Sequence, residues 1–498
     1  LKLAGQQYWQ ILPLGPTGYG DSPYQSVSTF AGNPYFISLE DLIEEKLLTR
    51  EECESCDWGG SESYVDYEKM YMSRYKLLRK AYERSDFLKD KDYEIFLKEE
   101  KNWLTDYCLF MAIKNSQKGI CWIDWPDELK DRHSKAVKEA EKELETEINF
   151  YRFQQYCFTT QWRKLKKYAN KKGISIIGDV PIYVALDSSD AWANPEMLQF
   201  DKDHNPKSVA GCPPDAFSAT GQLWGNPLYD WKKLKASGYD WWVQRMKHCL
   251  ELYDVVRIDH FRGFDEYYAI PYGEKTARKG EWEKGPGMDL FNTLNKKLEN
   301  LHVIAEDLGF LTESVLEMLK ESGYPGMKVL QFAFDGSEDS AYLPYKYEHN
   351  CVVYTGTHDN ETTKGWLEGL QGHDRDFVRE YINCYEAPVN DCVWGLIRIA
   401  LASVADLAVI PIQDYLCLGN EARMNAPATL GDNWKWRLTR GQISDMTLYH
   451  MREVTRIYGR LYREPVAEEP EEETEIEETE IEEQIDKSSN CKTGERRL

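Results

Sequence analysis

The feature that most constrains the fold of this chain is a series of short apolar runs, each followed by polar or acidic residues. The runs are rich in Val and Ile and nearly continuous, which is typical of strands buried on both faces of a sheet. Longer amphipathic stretches separate them, so the pattern predicts strands that alternate with helices around a parallel sheet. The predicted strands are residues 8–12, 174–178, 253–258, 302–305, 327–332, 351–354 and 407–410.

Polar residues cluster directly after these predicted strands. Because the active sites of (β/α)8 barrels lie at the C-terminal ends of the strands, this placement favours a barrel, although open α/β sheets share it. We predict an α/β fold, a (β/α)8 barrel of the TIM type. The clusters are Gly178-Asp179, Asp259-His260, Glu306-Asp307, His358-Asp359 and Gln413-Asp414.

The chain divides into four predicted regions. Residues 1–40 begin the barrel and residues 170–463 complete it. Between them, residues 41–169 are rich in Glu, Lys, Tyr and Trp and carry helical spacing, which predicts a large, mainly helical insertion. Residues 464–498 are acidic and of low complexity, with too little apolar surface to offset the entropy of ordering, so a disordered tail is predicted.

Charge and hydropathy exclude two classes of partner. The net charge of −24 argues against nucleic acid, because neutralising phosphates requires a basic face. Between residues 464 and 486, twelve Glu and one Asp without any Lys or Arg account for thirteen of those net negative charges. The longest apolar runs, such as residues 407–412, are too short to span a bilayer, so no membrane is expected.

The twelve cysteines are scattered, and only Cys53 and Cys56 form a close C-x-x-C pair. A zinc site would require a second pair or a His at ligand spacing, so these two are predicted to be loop thiols. Dispersed thiols in a large chain without a signal peptide indicate a reducing compartment, and we predict a cytoplasmic protein.

The densest chemical signal is Val255-Val256-Arg257-Ile258-Asp259, a buried strand that ends in a carboxylate. The side-chain period of two places Arg257 and Asp259 on the same face. An adjacent guanidinium keeps a carboxylate ionised, which suits a nucleophile. The alternative is a structural ion pair at the end of a strand.

Two later strands end in acid as well. Glu306-Asp307 follows Val303-Ile304-Ala305, and His358-Asp359-Asn360 follows Val353-Tyr354. Asp307 and Asn360 could instead be helix caps. Three acidic strand ends in succession favour a shared site.

The succession Arg-x-Asp, Glu and His-Asp on successive strands resembles the conserved regions of the α-amylase clan of glycoside hydrolases. The surrounding motifs are similar to those of the amylomaltase family, also called disproportionating enzyme, from residue 1 to about residue 463. These motifs are LPLGPTGYGDSPYQ at 12–25, GDVPIYV at 178–184, GCPPDAF at 211–217, GQLWGNPLY at 221–229 and GNEARMN at 419–425.

The resemblance implies roles for three carboxylates: Asp259 as nucleophile, Glu306 as general acid/base and Asp359 as the carboxylate that grips the transferred sugar. Retention at the anomeric carbon requires two carboxyl groups roughly 5–5.5 Å apart. Glu306 would need a raised pKa, which neighbouring negative charge and partial burial would supply.

The resemblance also implies substrate-binding positions. An active-site loop at 211–229 is expected to overhang the site. Trp224 and Tyr24 could offer rings to the apolar faces of glucose, although an aromatic taken alone is more often part of the core. Asp179 and Tyr183 match the clan's first conserved region, where the Asp could contact substrate or only organise the strand end. The predicted substrate-binding residues are Ser22, Tyr24, Asp215, Gln222, Trp224, Arg257, His358 and Asn425.

The implied activity is 4-α-glucan transfer: a segment of an α-1,4-glucan passes to glucose or a maltooligosaccharide by a retaining double displacement. The alternatives are an α-glucan hydrolase, which the same carboxylates would serve, and an inactive glucan-binding protein. Neither a phosphate-binding glycine loop nor a metal-ligand cluster is found, so no cofactor and no metal are predicted.

A barrel requires eight strands, and the sequence predicts seven. Members of the family begin with a further strand and helix before the segment that matches residues 1–12, and this chain opens at Leu1. We therefore expect the first barrel strand to be missing, with a gap between the strands at Tyr8 and Leu407. Unpaired backbone groups at such a gap predict an unstable or weakly active chain.

Overall fold

The computed structural model describes residues 1–18, 20–214, 218–337 and 339–461. Its centre is a curved wall of parallel strands. A hydrogen bond from Ala305 N to Pro325 O (2.9 Å) joins the two groups of paired strands that make up this wall. In their spatial order along the wall, the strands are β1 (Tyr8–Gln10), β2 (Ser175–Val180), β5 (Val255–Ile258), β8 (Val303–Ala305), β9 (Gly326–Val329), β10 (Cys351–Tyr354) and β11 (Leu407–Val409).

These strands confirm the seven predicted ones and the predicted α/β barrel architecture. Several boundaries differ by one or two residues, and the largest difference is at the end of β9. The predicted strand 327–332 ends at Val329, and Leu330–Ala333 form a 3-10 helix instead. Leu330 and Ala333 are buried in that turn, so the apolar run continues through a change of backbone conformation that hydrophobicity does not report.

A second, antiparallel sheet was not predicted from the sequence. It has the order β4-β3-β6-β7. Part of the segment 211–229, expected to be a loop, therefore forms strands. The exposed, charged β7 and the Gly- and Pro-containing β4 lack the apolar pattern of a buried strand. The strands are β3 (Ser208–Cys212), β4 (Gln222–Pro227), β6 (Glu266–Pro271) and β7 (Glu281–Lys284).

Helices dominate the long segment between β1 and β2. Helical spacing at 68–82 and 131–162 predicts two helices; the second region is divided at Leu144. Asp66 and Ser134 cap the first turns of α3 and α7 through their side chains. The helices are α1 (Leu39–Glu44), α2 (Arg50–Glu54), α3 (Tyr67–Arg84), α4 (Lys91–Glu99), α5 (Leu104–Ser116), α6 (Asp127–Lys130), α7 (Lys135–Glu143) and α8 (Glu145–Lys171).

The remaining helices connect and cover the strands of the wall. Whether residues 41–169 are a separate subdomain stays a prediction, and the tail 464–498 lies outside the described residues. Within the described ranges, no helix has the length and apolar character needed to cross a bilayer. The helices are α9 (Ser189–Ala193), α10 (Trp231–Ala236), α11 (Asp240–Leu252), α12 (Met288–Lys297), α13 (Glu313–Ser322), α14 (Thr363–Gly369), α15 (Gly372–Tyr381), α16 (Val389–Ala402), α17 (Ile412–Tyr415) and α18 (Asp445–Ile457).

A compact apolar cluster lies between the strands of the wall. Its members alternate with residues that face the surrounding helices, as expected for strands covered on both faces. Each fully buried aliphatic side chain of this kind contributes roughly 1.5–3 kcal/mol relative to exposure. The cluster holds the strand ends, and therefore the side chains that follow them, in fixed positions. Its buried members are Ile177, Ile304, Met327, Val329, Val352 and Tyr354.

The wall has an opening where the sequence predicts a gap. Among the described residues, β1 and β11 share no strand pairing. A cavity of about 910 Å³ lies between them, lined by residues 6–12 and 406–413. Tyr8 is 40% exposed and β11 is only partly buried, in contrast to the fully buried β10. In the described part of the chain, β1 and β11 are therefore the edge strands of the wall, and the missing first strand stays a prediction.

Candidate active site

Two acidic side chains occupy matching positions on neighbouring strands of the wall. Asp259 directly follows β5 and Glu306 directly follows β8, and the register pairs Ile258 with Ala305. Glu306 N donates to Ile258 O (3.0 Å) and continues the pairing beyond the strand ends. Adjacent strands lie about 4.8 Å apart, so Asp259 and Glu306 are neighbours at the same level of the wall.

A buried arginine lies beneath Asp259. One terminal nitrogen of Arg257 donates to Asp259 Oδ1 (3.0 Å) and to both carboxylate oxygens of Asp179 (2.8 Å each). Burial alone would lower the pKa of Arg257, but the two carboxylates raise it well above its ordinary value. The predicted adjacency of Arg257 and Asp259 is confirmed, and the same cation also forms a structural ion pair with the buried Asp179.

The environment of Glu306 differs from that of Asp259. Its carboxylate accepts hydrogen bonds from His260 N (2.7 Å) and Leu308 N (2.8 Å), which favour the ionised form. Burial and, after it, the negative charge of Asp259 act in the opposite direction and raise the pKa of Glu306 to about 8. At neutral pH the carboxyl group of Glu306 therefore carries a proton.

Two neighbouring imidazoles border the acids. Burial lowers the pKa of His260 to about 4, so its ring is neutral at pH 7. The indole of Trp224 contacts this ring edge to face, with 4.9 Å between centroids. Nε2 of His358 lies 3.5 Å from Asp359 Oδ1.

The third acid, Asp359, lies on the other side of the cleft beyond β10. Asn425 Nδ2 donates to Asp359 Oδ1 (2.6 Å) and Arg423 donates to its backbone oxygen (2.8 Å). Its side chain is 49% exposed, so it remains accessible to a ligand.

The alternative that Asp307 and Asn360 cap helices is wrong. Asp307 is buried and accepts a hydrogen bond from Met327 N (2.6 Å), which ties β8 to β9. Asn360 accepts from Thr357 N (2.9 Å) and closes a turn. The helices that follow begin later, after Thr312 and Thr362.

A cavity of about 240 Å³ brings most of the predicted residues together. On one side of the cavity the rings of Tyr24 and His358 stack, with 5.0 Å between their centroids. On another side Trp224 Nε1 donates to Gln222 Oε1 (3.1 Å). Glu306 and Arg257 do not line this cavity, although Arg257 contacts Asp259, which does, and Asp215 lies outside the described residues. The predicted residues that line the cavity are Ser22, Tyr24, Gln222, Trp224, Asp259, His358, Asp359 and Asn425.

Sequence reasoning missed several lining residues, of which Gln25, Asn226 and Trp434 carry polar or aromatic side chains. Gln25 and Asn226 lie within the quoted motifs. Gln25 Nε2 donates a hydrogen bond to Asn226 Oδ1 (2.9 Å), which fixes the side of the cavity next to Trp224. Trp434 follows a Gly-Asp-Asn turn signal that could have indicated an exposed loop near the site. Sequence reasoning left open whether Asp179 contacts substrate or only organises the strand end. Asp179 is 2% exposed and is hydrogen-bonded to Arg257 and Tyr24, so it organises the strand end.

Known proteins resemble this chain over most of its length. A sequence profile of the family described as 4-alpha-glucanotransferase matches residues 1–444. The 4-alpha-glucanotransferase of Clostridium butyricum is 49% identical over 92% of this chain and 94% of its own length. That of Thermus thermophilus is 45% identical over 89% and 90%.

Solved structures give the same result. The amylomaltase from Streptococcus agalactiae, in a structure with acarbose, is 38% identical and superimposes with a TM-score of 0.89 over 93% of each chain. The amylomaltase from Corynebacterium glutamicum shares the fold at 19% identity, with a TM-score of 0.70 over 93% of this chain and 72% of that one. The profile match and the identities over nine-tenths of both chains establish that this chain belongs to the 4-alpha-glucanotransferase family.

Proposed function

We propose that this protein transfers a segment of an α-1,4-glucan to glucose or a maltooligosaccharide, with retention at the anomeric carbon. The observation that carries the mechanism is the contrast between two acids on neighbouring strands. Asp259 lies against the guanidinium of Arg257, whereas burial and the charge of Asp259 raise the pKa of Glu306 to about 8. One acid is thus poised as a nucleophile and the other as a proton donor.

In the first step, an Asp259 carboxylate oxygen attacks the anomeric carbon. The bond from that carbon to the glycosidic oxygen breaks, and its electron pair moves to the departing oxygen, which takes the proton of Glu306. A glycosyl ester on Asp259 and a shortened glucan result. In the second step, ionised Glu306 removes a proton from an acceptor hydroxyl, which displaces Asp259 and restores both carboxyl groups.

The other lining residues are proposed to hold the donor sugar. Asp359 offers an accessible carboxylate for sugar hydroxyls, and Asn425 and His358 fix its orientation. Tyr24, Trp224 and the amide of Gln222 form walls with ring faces and hydrogen-bonding groups, which suits a ligand with apolar and hydroxyl-bearing surfaces. We extend the same role to Ser22 and Asp215.

The experiment that tests this function is incubation with maltotriose and analysis of the products. A transferase produces longer maltooligosaccharides together with glucose, because the glycosyl ester passes to another sugar. Shortened products alone would identify a hydrolase, and no products would identify an inactive glucan-binding protein.

The pKa of Glu306 predicts the alkaline limit of activity. The first step requires protonated Glu306, and a pKa raised from 4.5 to about 8 keeps the proton in place through neutral pH. We expect kcat/KM for maltotriose to fall as pH rises through about 8, measured as initial rates between pH 5 and pH 10. A fall already complete between pH 4 and pH 6 would contradict the assignment of Glu306. A melting curve at each pH separates this loss from unfolding.

A further inference from the structure

Trp434 has an unusual backbone conformation for its size. Its φ is +63°, in the left-handed region that bulky side chains rarely adopt. Such a conformation persists where the surroundings impose it, and it is concentrated at functional sites. The indole lines the cavity that also contains Asp259 and Asp359.

The ring of Trp434 contacts two site residues. Its centroid lies 5.8 Å from that of Tyr24 and 5.8 Å from that of His358, and these two rings stack on each other. A buried Trp normally belongs to an apolar core. Trp434 is only 8% exposed, yet it is not part of any apolar core cluster formed by the described residues.

The backbone of Trp434 is held from two directions. Its N–H donates to Met424 O (2.6 Å), next to the Asn425 that bonds Asp359, and its carbonyl accepts from the hydroxyl of Tyr67 (2.6 Å) at the start of α3. Val65 N donates to Lys435 O (2.8 Å) just beyond. The helical segment between β1 and β2 therefore clamps the loop that carries Trp434.

We infer that Trp434 is a positioning residue, which packs against Tyr24 and His358 and thereby fixes the side of the donor site that holds Asp359. The inference rests on the proposed transfer reaction. Tyr24 donates to the buried Asp179 (2.8 Å), so the ring stack also borders the Arg257 network beneath Asp259. Loss of the indole leaves His358 and Tyr24 free to move relative to both acids.

The test compares Trp434→Ala with Trp434→Phe and with a matched control, Trp394→Ala. Trp394 is a partly buried Trp that likewise contacts a Tyr and a His, at 5.8 and 6.0 Å, but these are Tyr415 and His450, which do not line the active-site cavity. We expect Trp434→Ala to lower kcat/KM for maltotriose by roughly tenfold to hundredfold, because a small misplacement of reacting groups has effects of this size. Trp434→Phe, which keeps a ring on the stack, should recover most of that loss.

Melting temperature and active-enzyme concentration are measured for each variant, so that loss of folded protein is separated from loss of positioning. The inference is overturned if folded Trp434→Ala has the kinetic constants of Trp394→Ala, or if Trp434→Phe is as impaired as Trp434→Ala. If Trp434→Ala does not fold, Trp434→Leu, which removes the ring but keeps an apolar side chain, takes its place, and kinetic constants equal to those of Trp394→Ala overturn the inference. A parent that shows no transfer would instead overturn the proposed function.

Discussion

Replacing the proposed nucleophile, Asp259→Asn, should reduce transfer from maltotriose by roughly 10³-fold or more while leaving the fold nearly intact. The amide has almost the shape of the carboxylate but cannot form the glycosyl ester. Arg257 keeps two hydrogen bonds from its buried nitrogen to Asp179, so the loss of Asp259 does not leave a buried cation without a partner. The measurement is product formation by purified variant and parent at equal concentration.

The control for this variant is Asp240→Asn. Asp240 lies on the surface at the start of α11, with its side chain 64% exposed and paired with Lys297. Full activity in the control shows that the substitution type and the purification are harmless. A tenth of parental activity in folded Asp259→Asn would refute the assignment of the nucleophile.

Glu306→Gln should be impaired chiefly with donors whose leaving group needs a proton. We expect kcat for maltotriose to fall by roughly 10²–10⁴-fold, the usual contribution of general acid–base catalysis. With α-glucosyl fluoride, whose fluoride ion departs without protonation, formation of the glycosyl ester should be partly rescued. Equal losses on the two donors would point to a different acid.

The stability of Glu306→Gln provides a second, independent readout. The unfolded chain loses the proton of Glu306 near the ordinary pKa of 4.5, whereas the folded protein keeps it until about pH 8, so the stabilising contribution of this group falls as pH rises between these two values. Gln is neutral at every pH, so the difference in melting temperature between variant and parent should shift in favour of the variant between about pH 4.5 and pH 8 and level off above pH 8. Gln can accept only one of the hydrogen bonds from His260 and Leu308, which lowers its stability at all pH values.

The wall of parallel strands was predictable because burial on both faces leaves a continuous apolar run, as in Cys351–Tyr354. The second sheet was not. In β7 every residue is exposed, and its pairing with β6 depends on a neighbour distant from any local pattern. Register and pairing in such strands are set by tertiary contacts, which residue types alone do not encode.

The site was predictable to different degrees. Arg257 and Asp259 could be placed together from the period of a strand, whereas the roles of Asp359 and Asn425 depended on motif resemblance, because their contact joins residues 66 positions apart. The hydrogen bond from Arg257 to Asp179 joins residues 78 positions apart, and no local sequence pattern could predict it. Trp434 escaped notice since a left-handed conformation at Trp contradicts its intrinsic preference, and only the contacts of Met424 and Tyr67 explain it.

The opening between β1 and β11 determines which parts of the wall fray first. Strands at an edge have the fewest neighbours and open locally at the lowest free energy. In the order β1-β2-β5-β8-β9-β10-β11, β8 is the middle strand and β5 is next to it, so the two strands that carry the proposed nucleophile and acid are enclosed on both sides. Asp359 follows β10, which is next to the edge strand β11. Local opening that begins at the edge strands therefore displaces Asp359, the proposed contact to the donor sugar, before it displaces Asp259 and Glu306, which are proposed to break the glycosidic bond.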